Sequence, residues 1–523
     1  MRHLVLSTAF LITAGALLAQ GDRGTITGTV TDPSGRVIPN VDLVATNAGT
    51  GIQSTTVTGD AGAYTMPLLM IGSYTLEARA SGFKTFERRE IRVQVGQTTR
   101  VDIQLQVGQV QESVTVSATA PLMTTDASDV GIVVNQDKFL NLPLALGGDF
   151  RRASSFIFLS PGVSGSTWEK HIGGGSSFTD AVYFDGAAMN ASPNNDGQYS
   201  PSVDSIGEFK LINNAYSAEY GHALNGVTSF TLKSGTNEFH GGAFEFFRNE
   251  KLDARGFFPR VKAPTRQNEF GGTIGGPIRK NRTFFFASIE SFRRRQGSTQ
   301  PLVTIPSPDF LSGNFSRWPS AIYDPGSTRP DGRGGFTRDA FVGNVIPASR
   351  ISPVSNKIAA LIPAPLFPNL LANNYLAPLV SPMQDDHNWS VKMDHQFTSN
   401  HRAFGTFIFT DRPAIKGNAA SVQGPAESHN RQDLNSRFLR LGEDWTISPT
   451  VINHFVASFD RVVDTNRTLS LGQNWPQKLG LRGVQDDQFP SVTFAQGYAR
   501  LGDSVHYRET ETTFGAQEIG RVV

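Results

Sequence analysis

From Phe239 onward the chain is written in segments of roughly ten residues whose polarity alternates residue by residue, and this rhythm restricts its fold more than any other feature. The spacing predicts strands over 239–249, 267–278, 282–293, 388–397, 402–410, 436–447 and 451–463. In the fourth, Trp389, Val391 and Met393 share one face, and Ser390, Lys392 and Asp394 share the other. In the last, Val451, Phe455, Ala457 and Phe459 oppose His454, Ser458 and Asp460. The third is less regular, because Phe284, Phe285 and Phe286 are consecutive. Short connections at Lys280-Asn281 and 398–401 alternate with long Pro/Gly-rich ones at 297–387, 411–435 and 464–490. A soluble sandwich has no reason for that asymmetry, whereas a closed sheet in lipid does. After residue 20 no stretch approaches ~18 apolar residues, so the expected membrane-crossing element is the strand.

The run Leu232-Lys233-Ser234-Gly235-Thr236-Asn237-Glu238-Phe239-His240-Gly241 marks the seam. Before it lies Gly-rich, turn-rich chain. At the N-terminus, Arg2 and His3 precede an apolar run from Leu4 to Leu18, and Ala19 precedes polar Gln20-Gly21-Asp22. Residues 1–19 read as a secretory signal peptide; an anchor helix is the competing reading, but the run is short for ~30 Å of hydrocarbon. The sequence of 523 residues has no Cys, so neither disulfides nor thiolate metal sites are expected. Its net charge of +1 gives no case for a nucleic-acid partner.

Residues 23–107 carry period-two patterns at Ile26/Gly28/Val30, Val41/Leu43/Ala45, Tyr74/Leu76/Ala78, Ile91/Val93/Val95 and Val101/Ile103/Leu105, split by turns such as Asp32-Pro33-Ser34-Gly35. They predict a small β-sandwich. Gly28-Thr29-Val30-Thr31-Asp32-Pro33-Ser34-Gly35-Arg36-Val37-Ile38-Pro39-Asn40-Val41, with Gly72-Ser73-Tyr74-Thr75-Leu76-Glu77-Ala78 and Ser81-Gly82-Phe83-Lys84, resembles a carboxypeptidase regulatory-like domain, which is non-catalytic. Residues 108–118 read as a hinge. Residues 119–236 read as an α+β unit with a helix over 136–142 ended by Pro143, and apolar pieces over 156–159, 182–184 and 209–212.

The whole order resembles a TonB-dependent outer-membrane receptor or transporter of the Oar-like branch. Tyr183-Phe184-Asp185-Gly186 and Tyr216-Ser217-Ala218-Glu219-Tyr220-Gly221 resemble its plug, which places the plug over 119–236. The seam, followed by Phe246-Phe247-Arg248-Asn249 and Phe257-Phe258, resembles the crossing into the first barrel strand. Glu112, Ser113, Val114, Thr115, Val116, Ser117 and Ala118 resemble the segment that pairs with the partner TonB by adding a strand to its sheet; an ordinary first plug strand is the equal alternative. Asn225 and Leu232 depart from the family pattern, where Gly and Thr are common. The resemblance implies a mainly β fold: sandwich, α+β plug, then over 237–523 the first part of a transmembrane antiparallel barrel that in full has about 22 strands. Residues 519–523 lack a terminal aromatic strand, so the chain is expected to be part of a longer protein.

The implied setting is the outer membrane of a Gram-negative-type bacterium, with the N-terminal domain in the periplasm. The implied partners are TonB with its inner-membrane energising complex, membrane lipid and lipopolysaccharide, and an unknown external ligand. Sugar oligomers are the analogy-based guess for that ligand; peptides and metal chelates stay open. No cofactor, metal or catalytic residue is expected. Asn190-Ala191-Ser192-Pro193-Asn194-Asn195-Asp196-Gly197 has calcium-type oxygens without an EF-hand's spacing, and reads as a solvated turn. His506 and Glu509 lack a third zinc ligand, and Gly162-Val163-Ser164-Gly165-Ser166 has the wrong glycine spacing for a nucleophile elbow. Arg293-Arg294-Arg295 reads as a solvated strand end in preference to a lipopolysaccharide contact. Phe257, Phe258, Trp389 and Phe397 suit interfacial girdles. Energy-coupled uptake is the leading functional reading; a surface interaction or adhesion protein without transport is the alternative.

Overall fold

Alternation of Thr with Val and Ile makes the N-terminal strands, because β-branched side chains suit a pleated, half-buried surface. The computed structural model describes residues 23–108, 113–116, 130–135, 151, 153–166, 169–177, 179–189, 201–214, 223–255, 257, 262–297, 301–377, 382–416, 422–448, 451–494, 497–503 and 505–522. The first strands are β1 (Gly24–Thr31), β2 (Asp42–Asn47), β3 (Gln53–Val57), β4 (Ala63–Leu69) and β5 (Gly72–Arg79). They are followed by β6 (Thr85–Val93), β7 (Thr98–Arg100), β8 (Ile103–Gln104) and β9 (Ser113–Val116). One sheet has the order β4-β1-β7, with β8 also on β1; the other has the order β3-β2-β5-β6-β9. Ile26, Val30, Leu43, Ala45, Leu76, Ile91, Val101 and Leu105 fill the space between them, as the period-two reading predicts.

A middle unit follows, with strands β10 (Val130–Asn135), β11 (Val163–Gly165), β12 (Lys170–Ile172), β13 (Ala181–Phe184), β14 (Ala187–Ala188), β15 (Ile206–Asn214) and β16 (Val227–Leu232). Five of them form a sheet in the order β10-β15-β16-β13-β14. The apolar piece expected near 156–159 is a 3-10 turn, Ala153–Leu159. The helix expected over 136–142 lies outside the described residues.

After the seam the chain forms an eight-stranded antiparallel meander. Its strands are β17 (His240–Asn249), β18 (Thr265–Arg279) and β19 (Thr283–Gln296), then β24 (Met383–Thr398), β25 (His401–Lys416), β26 (Asn430–Ser448), β27 (Val451–Thr468) and β28 (Tyr507–Val522). Between β19 and β24 lie the two-residue strands β20 (Leu302–Val303), β21 (Arg329–Pro330), β22 (Phe336–Thr337) and β23 (Tyr375–Leu376). The strands outrun the expected segments at the long-loop end: pairing of β26 with β27 continues to Asn430↔Thr468, where both faces are polar. The long connections shrink accordingly, to 417–429 and 469–506. β28 is an addition to the expected segments. Its outward positions are Arg508, Thr510, Thr512, Phe514 and Ala516, so the apolar rhythm is nearly silent there.

The large sheet is inverted relative to a protein in water. Asp386, Asn388, Ser390, Lys392 and Asp394 of β24 are buried, while Trp389, Val391 and Met393 between them are about half exposed. Phe284 and Phe286 are fully buried inward and Phe285 faces out against Phe239, which resolves the irregular third segment into ordinary alternation. The inward apolar residues Ile408, Leu434, Phe438 and Val462 share one core with Phe156, Phe184, Phe209 and Phe230 of the middle unit. The long loops are themselves packed, around Ile305, Tyr375, Val422, Trp475, Phe489 and Leu501.

Candidate functional site

The middle unit meets the large sheet at Asp185. β13 and β14 are joined by Asp185-Gly186 alone, with φ of 41° and 84°. A two-residue hairpin of this mirror type needs positive φ at both positions, which Asp tolerates and Gly adopts freely. The turn delivers the Asp185 carboxylate to the inner face of the sheet, where it has no exposed surface. It accepts hydrogen bonds from Lys392 Nζ at 3.0 Å, Thr406 Oγ1 at 2.7 Å and the Leu232 backbone N–H at 3.1 Å. Lys392 also donates to the Leu232 carbonyl at 3.3 Å. Lys392 and Thr406 are register partners on β24 and β25, so they reach the same point from adjacent strands. Leu232 contributes only main-chain atoms to this cluster, which any residue type supplies; its departure from the family's Thr therefore leaves the contact intact.

A second buried cluster lies at the short-turn end. Asp444 accepts from Arg23 Nε at 2.9 Å and is hydrogen-bonded to Arg402 and His454. Arg402, Asp444 and His454 are successive register partners across β25, β26 and β27, so the sheet presents them in a row. Arg23 immediately precedes β1, and thus ties the sandwich to the sheet; its guanidinium also stands 4.7 Å from the Phe404 ring centre. The seam is bound in here as well. Asn237 donates from its side chain to the Thr50 carbonyl at 2.6 Å and accepts from the Asn281 N–H at 2.8 Å, linking sandwich, seam and the first short turn.

The sandwich also touches the middle unit directly. The Val95 N–H donates to Glu208 Oε2 at 2.7 Å, and Lys210 Nζ donates to the Gly96 carbonyl at 2.8 Å. Burial pushes the Glu208 carboxyl up from 4.5 to about 7, opposed by the Val95 hydrogen bond and by the Arg92 charge. A carboxyl whose folded pKa is raised holds its proton in the folded state after the unfolded chain has lost it. Stability therefore falls as pH rises from 4.5 through about 7, by on the order of 3 kcal/mol in all. Protection of the Val95 and Gly96 amides, read as exchange relative to an unstructured peptide at the same pH, is expected to fall over that window, and Glu208→Gln is expected to flatten the dependence. Protection that does not change with pH in the parent protein would contradict this.

Nearer the long-loop end, Arg151 donates from Nε to Glu269 Oε1 at 2.7 Å and from Nη2 to Asp204 Oδ2 at 2.6 Å. Its guanidinium lies 4.1 Å from the Phe246 ring centre, and Ser202 Oγ donates to Glu290 at 2.7 Å. Among the described residues no three His, Cys, Asp or Glu side chains group as metal ligands. These clusters bind and orient the units.

Of the residues singled out in the sequence, Ser113, Val114, Thr115 and Val116 form β9, which pairs in parallel with β6 at the sandwich edge, from Thr85↔Ser113 to Arg88↔Val116. They do not join the middle sheet. Glu112, Ser117 and Ala118 lie outside the described residues, as do 190–197, 216–221 and Phe258. Trp389 and Phe397 face outward and are about half exposed. The three-arginine run is divided: Arg294 turns inward to Gln384 at 2.9 Å, while Arg295 is held by Asp385 at 2.7 Å. Lys392, Thr406, Arg23, Asp444 and Arg151 were not among the expected site residues. The signal for Lys392 was a cation on the polar face of β24.

Residues 231–518 match the family model described as outer membrane beta barrel domain, and residues 25–106 match the carboxypeptidase regulatory-like domain. The TonB-dependent transporter Oar of Myxococcus xanthus is 30% identical over 315 residues, 57% of this chain and 30% of that protein. The chain thus spans less than a third of that relative's length. Among solved structures, the outer membrane transporter YddB from Escherichia coli aligns with a TM-score of 0.42 and 11% identity, over 74% of this chain and 44% of that one. A mutant ferric enterobactin receptor PfeA from Pseudomonas aeruginosa, in complex with enterobactin, aligns with a TM-score of 0.39 and 12% identity, over 74% and 46%. By name these are transporters and receptors, not enzymes.

Proposed function

The chain belongs to the outer membrane beta barrel domain family and its place is the outer membrane; from that premise we propose that it takes up an external ligand by energy-coupled movement of a plug inside the barrel. The middle unit is the plug. The observation that carries this reading is the Asp185 contact: beside the shared apolar core and the Arg151 and Ser202 contacts, a fully buried carboxylate of the plug is gripped by Lys392 and Thr406 on the barrel's inner face. Such a contact is specific when closed and breaks as a unit when pulled. Short turns in barrels of this kind face the periplasm and long loops face outward. That orientation puts the sandwich, Arg23 and β9 in the periplasm, and the packed loops outside.

TonB with its energising complex is the proposed motor, and residues 112–118 are its proposed handle. β9 is an edge strand, so a partner strand can add to it or replace its pairing with β6 through main-chain hydrogen bonds. Deleting residues 112–118 from the full-length protein is expected to abolish binding of the purified periplasmic TonB domain, by about tenfold or more in affinity. The amount of protein in the outer membrane should be unchanged. The packed outer loops also favour a second reading, a surface interaction protein without transport. That reading predicts no TonB binding by either form.

A further inference from the structure

Three pairs of arginines stand directly opposite each other on the outer face of the large sheet: Arg266↔Arg295, Arg431↔Arg467 and Arg437↔Arg461. Like charges in cross-strand register repel, so an anion held between them is stabilising. The first two have one. Asp385 holds Arg295 and Glu250 approaches Arg266 at 3.8 Å; Asp433 lies 2.8 Å from Arg431 and 3.4 Å from Arg467. The third has none. Arg437 and Arg461 are both exposed and form no ion pair among the described residues. Asp411, the acidic residue at the adjoining diagonal position on β25, forms none with Arg437 either.

The surroundings of this pair are those of a membrane interface. Arg437 stands 5.9 Å from the ring centre of Phe409, its register partner on β25. Immediately toward the short-turn end, the outward residues are Leu439 and Leu441 on β26 and Phe459 on β27, whose ring lies 5.2 Å from Phe514. Glu443, paired with His401 at 2.6 Å, interrupts this surface before Trp445 and Ile447 at the short-turn end of β26. Toward the long-loop end the next outward residues of β26 are Asn435, Asp433 and Arg431, all polar, so the apolar surface stops short of them. Arg437 and Arg461 therefore sit on its upper margin. Their Cα atoms are direct partners, and two guanidinium forks can converge on one tetrahedral phosphate.

We propose that Arg437 and Arg461 form a binding site for a phosphate of the outer-leaflet glycolipid, lipopolysaccharide, whose acyl chains lie on Leu439, Phe459 and Phe514. The proposal rests on the outer-membrane placement and orientation given above, but not on transport. The aromatic floor favours a lipid-borne phosphate over a free one, because the apolar contacts and the anion contacts lie side by side.

The test uses the full-length protein in detergent, with bisphosphorylated lipid A as the probe and native mass spectrometry as the readout. Arg437→Gln/Arg461→Gln is expected to lower lipid A affinity by about tenfold or more, whereas Arg431→Gln/Arg467→Gln, whose parent pair already has Asp433, should change it less than about twofold. Dephosphorylated lipid A should bind the parent about tenfold more weakly, and millimolar inorganic phosphate should not displace the lipid. Unchanged binding by the Arg437/Arg461 variant, equal binding of the dephosphorylated lipid, or displacement by inorganic phosphate would each overturn the proposal. The last would leave a free-anion site. Should the double variant fail to show a heat-modifiable barrel, Arg461→Gln alone is read in the same assay, with about threefold loss expected and no loss overturning the site. Because the assay does not involve TonB, failure of the uptake reading leaves its result unaffected.

Discussion

Asp185→Ala is expected to cost the seating of the middle unit on the large sheet about 3–5 kcal/mol, because it strands a buried ammonium. In the parent, Lys392 has the Asp185 carboxylate and the Leu232 carbonyl as acceptors; in the variant it keeps only the carbonyl. The reverse change is milder. Lys392→Met leaves Asp185 still accepting from Thr406 and from the Leu232 N–H, and should cost about 2 kcal/mol. Asp185→Asn/Lys392→Met, which removes both charges, should recover most of the loss. The measurements are hydrogen exchange of the Leu232 amide and the sensitivity of cells to a large hydrophilic antibiotic such as vancomycin, which an unseated plug admits. A double variant that loses as much as Asp185→Ala alone would show that the ion pair is not what holds the middle unit.

The phase of the strands was legible in the sequence, and the contacts between units were not. Alternation at Trp389/Val391/Met393 against Ser390/Lys392/Asp394 fixes which side chains share a face, because the side-chain period of a strand is two. It even survives Phe284-Phe285-Phe286, whose middle ring alone turns outward. It failed at β28, where Phe514 and Ala516 are too few to show a rhythm, and at the loop ends of β26 and β27, where neither side is lipid. The site was half visible. Tyr183-Phe184-Asp185-Gly186 was picked out as a motif, and its Asp-Gly turn explains its conformation. Its partner Lys392 lies 207 residues away, and Arg23 lies 421 residues from Asp444. No local pattern carries such separations; they depend on how the middle unit and the sandwich pack against the large sheet.

Asp444→Ala is the second large effect expected, and its place is the short-turn end of the large sheet. Asp444 holds Arg23, Arg402 and His454 together, all of them buried. Without it the Arg402 guanidinium and the His454 ring lose their shared carboxylate in a dry site, which should cost about 3–5 kcal/mol. Arg23→Met should cost less, since Asp444 keeps Arg402 and His454; it should loosen only the sandwich, seen as faster proteolytic release of the N-terminal unit. The two clusters meet at one ring: Phe404 lies 4.7 Å from Arg23, 5.8 Å from Lys392 and 5.8 Å from Arg402. Sites that share no partner add within about 0.5 kcal/mol, whereas sites coupled through a common side chain do not. The Asp185→Ala/Asp444→Ala double variant is therefore expected to lose less than the sum of its parts, because the first change already loosens the packing of Lys392 on Phe404. Adding Phe404→Leu should restore additivity. If the two losses sum with Phe404 in place, plug seating and sandwich docking are independent, and a pull on the sandwich side has no route through this ring to the Asp185 contact.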